Sequence, residues 1–120
     1  MAQPVRVLIA DDHHRSRLGL RALLTTSSAI KVVGEAADGQ EAVNLVEDCK
    51  PHVVLLDDRM PVMNGLEAGC HIKKSWPDIR VVILTMSHAG RVDALPTCID
   101  GLLLKGCPLD KLWQAILGSR

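Results

Sequence analysis

Two stretches of the chain, Val53-Val54-Leu55-Leu56 and Val81-Val82-Ile83-Leu84, are apolar at every position rather than at every second one. A strand with one face in water alternates, so an unbroken run asks for cover on both faces. The architecture that supplies it is a parallel sheet with helices packed above and below, which constrains the chain to an α/β fold. The rest of the sequence obliges. Val5 to Ala10 is a short apolar run holding only Arg6, and Leu102-Leu103-Leu104 is another. Lys31 to Ala37, centred on Val32 and Val33, is the least pronounced strand.

Helical patterns fill the intervals. The first is expected to bury Leu20, Leu23 and Leu24. In the second, Ala42, Leu45, Val46 and Cys49 recur at i, i+3, i+4 and i+7, on one helical face, after Asp38-Gly39 supplies a turn and an N-cap. Pro61 and Asn64-Gly65 mark a loop before a helix through Ala68, Gly69 and Ile72 that closes near Trp76-Pro77. Leu109, Leu112, Trp113, Ile116 and Leu117 form a final apolar stripe behind Pro108, a residue tolerated at a helix start. A fourth helix falls between Ser87 and Asp100, but Gly90 and Pro96 lie in that window, so it should be short or irregular. The reading is five strands, five helices and a single domain over residues 1–120 with no repeat or linker.

Composition closes off several functions. With 14 Lys+Arg against 14 Asp+Glu, no net charge is available for a bulk electrostatic hold on nucleic acid or anionic membrane. Tyr and Phe are absent and Trp76 and Trp113 are the only aromatic rings, so no base-stacking platform can be built. No apolar run approaches the roughly 20 residues that span a bilayer, and the start of the chain lacks the basic and hydrophobic regions of a signal peptide, so a cytoplasmic protein is expected. Cys49, Cys70, Cys98 and Cys107 show neither a C-x-x-C pair nor zinc spacing, and read as reduced, mostly packed thiols.

Ligands of open α/β sheets bind beyond the carboxyl ends of the strands. Here the first strand ends in Asp11-Asp12, the third in Asp57-Asp58, the fourth in Thr85 and the fifth in Lys105. Taken singly, Asp12 reads as a helix N-cap, Thr85 as a β-branched strand residue and Lys105 as a surface lysine. Together they place several carboxylates, a hydroxyl and an ammonium on one rim. Converging carboxylates repel unless protons or a cation neutralise them. A magnesium ion suits two or three carboxylate or carbonyl oxygens completed by water and phosphate oxygens. One carboxylate can then attack phosphorus while Lys105 and Thr85 hold the phosphoryl oxygens, giving an aspartyl phosphate.

The pattern Ala10-Asp11-Asp12-His13, Leu55-Leu56-Asp57-x-Arg59-Met60-Pro61-x-Met63-x-Gly65, Leu84-Thr85 and Leu103-Leu104-Lys105 resembles the receiver domain of bacterial two-component response regulators, over essentially the whole chain. Within that family, Leu8-Ile9-Ala10-Asp11-Asp12-His13, Gly19-Leu20-Arg21-Ala22-Leu23-Leu24 and Trp76-Pro77-Asp78-Ile79-Arg80-Val81-Val82 look most like the NarL/LuxR type. The resemblance implies a flavodoxin-like (CheY-like) doubly wound sheet of order 2-1-3-4-5. It implies phosphotransfer from a sensor histidine kinase to Asp57, chosen over Asp58 by the offset to Met60-Pro61. Asp12 and Asp57 would be direct Mg²⁺ ligands, Asp11 a largely water-mediated one and the backbone carbonyl of Arg59 another. Thr85 and Lys105 would grip the phosphoryl group. The domain would be a switch rather than an enzyme, with self-phosphorylation and slow self-dephosphorylation as its chemistry, a possible homodimer, and DNA reached only through a helix-turn-helix output domain outside these residues.

Departures from the family pattern matter. Asp58 stands where an apolar residue is usual, and its carboxylate either weakens phosphorylation or points into solvent. Leu102 occupies the place of a switching Tyr or Phe, Pro96 disturbs the fourth helix, and Gly106-Cys107 separates Lys105 from Pro108. An alternative is therefore a receiver that signals without phosphate, as a dimerisation or protein-interaction module. A flavodoxin-like cofactor binder fits less well, because Ala10-Asp11-Asp12 replaces a phosphate-cradling Gly-rich loop. His13-His14 read as diverging, solvated histidines rather than transition-metal ligands. Arg15, Arg17 and Arg21 read as a solvated basic face, with kinase docking as a further use.

Overall fold

The computed structural model describes residues 3–86 and 95–118. In chain order it runs β1 (Val5–Ala10), α1 (His14–Leu24), β2 (Ile30–Ala36), α2 (Gly39–Cys49), β3 (Val53–Asp57), α3 (Gly65–Ser75), β4 (Arg80–Thr85), β5 (Gly101–Leu104) and α4 (Leu109–Leu117). All strand pairings are parallel and the sheet order is β2-β1-β3-β4-β5. The chain therefore has the flavodoxin-like topology, with four helices rather than five among the described residues. The helix expected between Ser87 and Asp100 falls mostly on 87–94, outside the described residues. At 95–100 there is a turn, in which the Ile99 N–H donates to the Pro96 carbonyl.

The unbroken apolar runs do what their pattern requires. All five residues of β3 and all but the first of β4 are buried, and their side chains serve two cores alternately. Leu8, Val54, Leu56, Val81 and Ile83 face α2 and α3, together with Ala42, Val46, Ala68 and Ile72. Val7, Ile9, Val53, Leu55, Val82 and Leu84 face α1 and α4, against Leu24, Leu112 and Ile116. Each such fully buried aliphatic side chain contributes about 1.5–3 kcal/mol relative to an exposed one, which makes these two layers the main source of stability.

The helix starts are set by side chains the sequence displays. Asp38 Oδ1 accepts from the Glu41 N–H at 2.8 Å and Asn64 Oδ1 from the Glu67 N–H at 2.9 Å, each satisfying an otherwise orphan donor. At Gly65 the reason for glycine is space: a Cβ there would overlap the backbone carbonyl of Asp57. So α3 begins pressed against the end of β3.

Three expectations are corrected. Leu23 lies 39% exposed, whereas Leu20 and Leu24, four residues apart and so on one helical face, meet the core. β2 begins and ends one residue early and carries a register shift: Val7 pairs with Val32 but Leu8 with Gly34, leaving Val33 unmatched on the edge strand. Finally, Cys70 on α3 and Cys98 in the turn before β5 form a disulfide, with Cα atoms 5.1 Å apart, where reduced thiols were expected. Their 28-residue separation carries no sequence signal; the packing of α3 over β4 brings them together. Cys49 and Cys107 are free.

Candidate functional site

The carboxyl ends of β1, β3, β4 and β5 share one edge of the sheet, because all four strands run in the same direction with Ala10 beside Leu56, Asp57 beside Leu84 and Thr85 beside Leu104. Asp11, Asp57, Thr85 and Lys105, distant in sequence, thus arrive within reach of one another. Asp11 and Asp57 are buried, and the Lys105 ammonium lies between them, 3.2 Å from Asp11 Oδ2 and 3.1 Å from Asp57 Oδ2. Two carboxylates against one ammonium leave a net −1 (−1 −1 +1) before the more exposed Asp12 is added.

That imbalance appears in the protonation of the three groups. Burial pushes the Asp57 carboxyl up; Lys105 opposes this and the charge of Asp11 adds to it, so Asp57 stays above the ordinary carboxylate range. Burial acts on Asp11 in the same direction, but hydrogen bonds from Ser16, the His13 N–H and Lys105 outweigh it and hold Asp11 below that range. Burial alone would lower Lys105; Asp57 and then Asp11 reverse it and keep the ammonium above its usual value. Asp57 is the carboxylate whose charge the protein leaves least compensated.

Asp11 is fixed as well as charged. Its Oδ1 accepts from the His13 N–H at 2.9 Å, and its carbonyl accepts from Arg17 Nη1 at 2.7 Å. Asp12 is not the N-cap of α1; His13 takes that position, without a side-chain cap. The His13 ring instead turns to the acids, with Nδ1 3.1 Å from Asp12 Oδ1 and 3.5 Å from Asp11 Oδ1. One ligand atom each from Asp11, Asp12, His13 and Asp57 can be chosen so that all lie within 4.8 Å of one another. The carboxylate oxygens among them form a hard donor set that fits a divalent cation, and the surplus negative charge gives it a reason to bind. The expectation that His13 diverges from the acids is thereby corrected. Arg17 and Arg21 are not simply solvated either: both pair with Glu35 on β2.

Arg59 is exposed, and its N–H approaches Asp57 Oδ1 at 3.4 Å, which sets the backbone of residue 59 beside the carboxylate. Thr85 departs from the sequence expectation. It is 2% exposed and its hydroxyl donates to Asp58 Oδ2 at 3.0 Å. Asp58 itself is 7% exposed, so the reading in which its carboxylate points into solvent is corrected. An open groove lined by Asp12, His13, Arg59, Met60, Pro61 and Asn64 lies over this edge and gives a phosphodonor a way in. Among the described residues, no helix is long and apolar enough to cross a membrane.

Comparison with known proteins agrees with this geometry. Residues 7–117 match the model of the response regulator receiver domain. The chain is 38% identical over 117 residues to the response regulator GacA of Pseudomonas protegens, a match covering 93% of this chain and 54% of GacA. It is 36% identical over 115 residues to the response regulator protein VraR of Staphylococcus saprophyticus, covering 94% of this chain and 55% of VraR. The chain thus spans about half the length of the curated relatives it matches. Among solved structures, the signal receiver domain of the putative response regulator NarL from Mycobacterium tuberculosis superposes with a TM-score of 0.84 at 32% identity, over 97% of this chain and 95% of that one. With the strand order, the acidic edge and these relatives in agreement, the chain belongs to the response regulator receiver domain family, among regulators of the NarL/LuxR type.

Proposed function

We propose that Asp57 is the phosphoacceptor of a two-component signalling pathway and that the domain converts its phosphorylation into a changed protein-binding surface. The observation that carries this is the placement of Asp57: buried, hydrogen-bonded to Lys105, and yet the least charge-compensated carboxylate of the cluster. In the reaction, an Asp57 carboxylate oxygen forms a bond to phosphorus as the P–N bond of a kinase phosphohistidine breaks, and the departing imidazole takes up a proton. Lys105 then compensates the phosphoryl charge that Asp57 acquires, and Thr85 offers its hydroxyl to a phosphoryl oxygen.

Asp11, Asp12 and Asp57, with the backbone carbonyl of Arg59, would hold a magnesium ion, which when bound neutralises carboxylate and phosphoryl oxygens. Hydrolysis of the aspartyl phosphate is the only turnover expected of the chain itself. A sensor histidine kinase is the donor, a transcriptional output domain the recipient of the signal, and a second copy of the receiver a candidate partner on the switched surface.

Incubation with magnesium and a small acyl phosphate should add one phosphate in intact-mass measurement, and Asp57→Asn should take up none. Uptake that survives in Asp57→Asn would move the acceptor elsewhere. A second reading, a receiver that works without phosphate, draws its support from the Thr85 hydroxyl being engaged by Asp58 and from Leu102 at the switching position. Backbone amide NMR spectra unchanged by beryllofluoride and magnesium would select it.

A further inference from the structure

Asp58 and Thr85 form a pair that the phosphotransfer chemistry does not call for. Each is nine-tenths or more buried, and the Thr85 hydroxyl donates to Asp58 Oδ2 at 3.0 Å. The backbone holds the pair in place from two sides. The Asp58 N–H donates to the Leu84 carbonyl at 3.0 Å, and the Asp58 carbonyl accepts from the Gly65 N–H at 3.2 Å. The β3–β4 register, Asp57 beside Leu84, sets Asp58 beside Thr85 for the same reason. Asp57, one residue earlier, sends its carboxylate to Lys105 instead.

We propose that Asp58 is a positioning residue that acts through Thr85: it holds the hydroxyl in the resting protein and sets the cost of transferring it to a phosphoryl oxygen on Asp57. The inference deepens, and rests on, the reading of Asp57 as phosphoacceptor. A threonine hydroxyl has one proton to donate, so it serves Asp58 or the phosphoryl group but not both. The bond it makes to an ionised carboxylate is about twice as strong as one to a neutral acceptor. Transfer of the hydroxyl therefore exchanges one charge-assisted bond for another, and the drive toward the phosphorylated arrangement is reduced. With an apolar residue at position 58 no such exchange is required.

Asp58 could also act merely by its charge, and the two routes separate experimentally. Asp58→Asn removes the charge and keeps an acceptor oxygen for Thr85; Asp58→Leu removes both; Thr85→Val removes the donor. The affinity of the chain for beryllofluoride in saturating magnesium, measured by titration calorimetry, should rise about 10-fold in Asp58→Leu and no more than about 3-fold in Asp58→Asn. The gain should vanish when Asp58→Leu is placed in the Thr85→Val background, as a double-mutant cycle requires of residues that act as a unit. Equal gains in the Asn and Leu variants that persist beside Thr85→Val would assign the effect to charge and overturn the proposal. Asp58→Ala replaces the Leu variant if amide spectra show that Leu is not accommodated.

A second readout needs no phosphoryl mimic: three-bond couplings to the Thr85 methyl report its χ1 rotamer, which should be single in the parent chain and averaged in Asp58→Leu. An unaltered rotamer in that variant would also overturn the proposal. Parent chain that binds beryllofluoride, with Asp58 variants indistinguishable from it, defeats this inference alone. Failure of every folded variant and of the parent to bind defeats the Asp57 reading, and the inference with it.

Discussion

Asp57 and Asp58 are neighbours in sequence and opposites in structure. Asp57 continues the side of β3 that carries Val53 and Leu55, towards α1 and α4, and meets an ammonium that it shares with Asp11. Asp58 reaches Thr85, which continues the side of β4 that carries Val81 and Ile83, towards α2 and α3, and meets a hydroxyl. The same side chain is therefore set in two environments by a one-residue step along an extended chain. The first is ionic and unbalanced, a place where added positive charge is welcome. The second is a hydrogen bond between buried groups, a place where geometry rather than charge is at stake.

The comparison is broken most severely at its ionic half. Lys105→Met removes the cation between two buried carboxylates, and stability at pH 7 should fall by about 3–5 kcal/mol, the usual cost of orphaning a buried charge. Urea unfolding measures it, and adding Asp57→Asn to Lys105→Met should recover part of the loss. pH separates the two acids further. The Asp57 carboxyl sits above its ordinary 3.8, so its ionisation weakens the folded state as pH rises through that raised value, whereas below 3.8 it is protonated in both states and costs nothing. Asp57→Asn should therefore be more stable than the parent at pH 7, with the advantage gone below pH 3.8. Asp11 has the opposite sign. Its carboxyl lies below 3.8, so its contribution is present above 3.8 and lost as pH falls through the lowered value, and Asp11→Asn should be destabilising at pH 7. Thermal melts across pH check both, and a common sign for the two variants would refute the unequal sharing of Lys105.

At the hydroxyl half the expected effect is smaller. Thr85→Val keeps the shape of the side chain and deletes one hydrogen bond to a buried carboxylate, which should cost about 1.5–3 kcal/mol in urea unfolding. A change below about 0.5 kcal/mol would mean that the Asp58 contact contributes little in solution.

These two environments were not equally legible in the sequence. Unbroken apolar runs announced β3 and β4 and the parallel sheet, and Asp38 and Asn64 announced where α2 and α3 begin. Asp11, Asp57 and Lys105 could be placed on one edge because every parallel strand ends there, whatever its exact register. The Asp58–Thr85 bond depends on that register: residue order along β3 and β4 does not say that Asp57 lies beside Leu84, and Thr85 was assigned to a phosphoryl oxygen instead. The same limit hid the unmatched Val33 on an edge strand and the Cys70–Cys98 disulfide, both of which follow from how elements meet rather than from what each element is. His13 was misjudged for a local reason. As N-cap of α1 it has extended backbone, φ −90° and ψ 110°, which returns its ring to the acids it follows instead of sending it along the helix.

A final substitution separates backbone conformation from charge in the segment that joins Asp58 to α3. Val62 has φ +68°, a left-handed conformation that a β-branched residue adopts at a cost, and its side chain is 81% exposed, so packing does not repay that cost. The turn is closed around it by the Met63 N–H, which donates to the Pro61 carbonyl at 2.7 Å. Glycine meets no Cβ penalty at this φ, though it gives up more chain entropy on folding. The balance should raise stability by about 0.5–1 kcal/mol in Val62→Gly. Because no ionisable group is touched, the gain should be constant from pH 4 to pH 8, unlike those at Asp11 and Asp57. A gain that varied with pH would show that this turn and the carboxylates at the end of β3 are mechanically coupled, and the separation of the two environments drawn from the structure would then be too sharp.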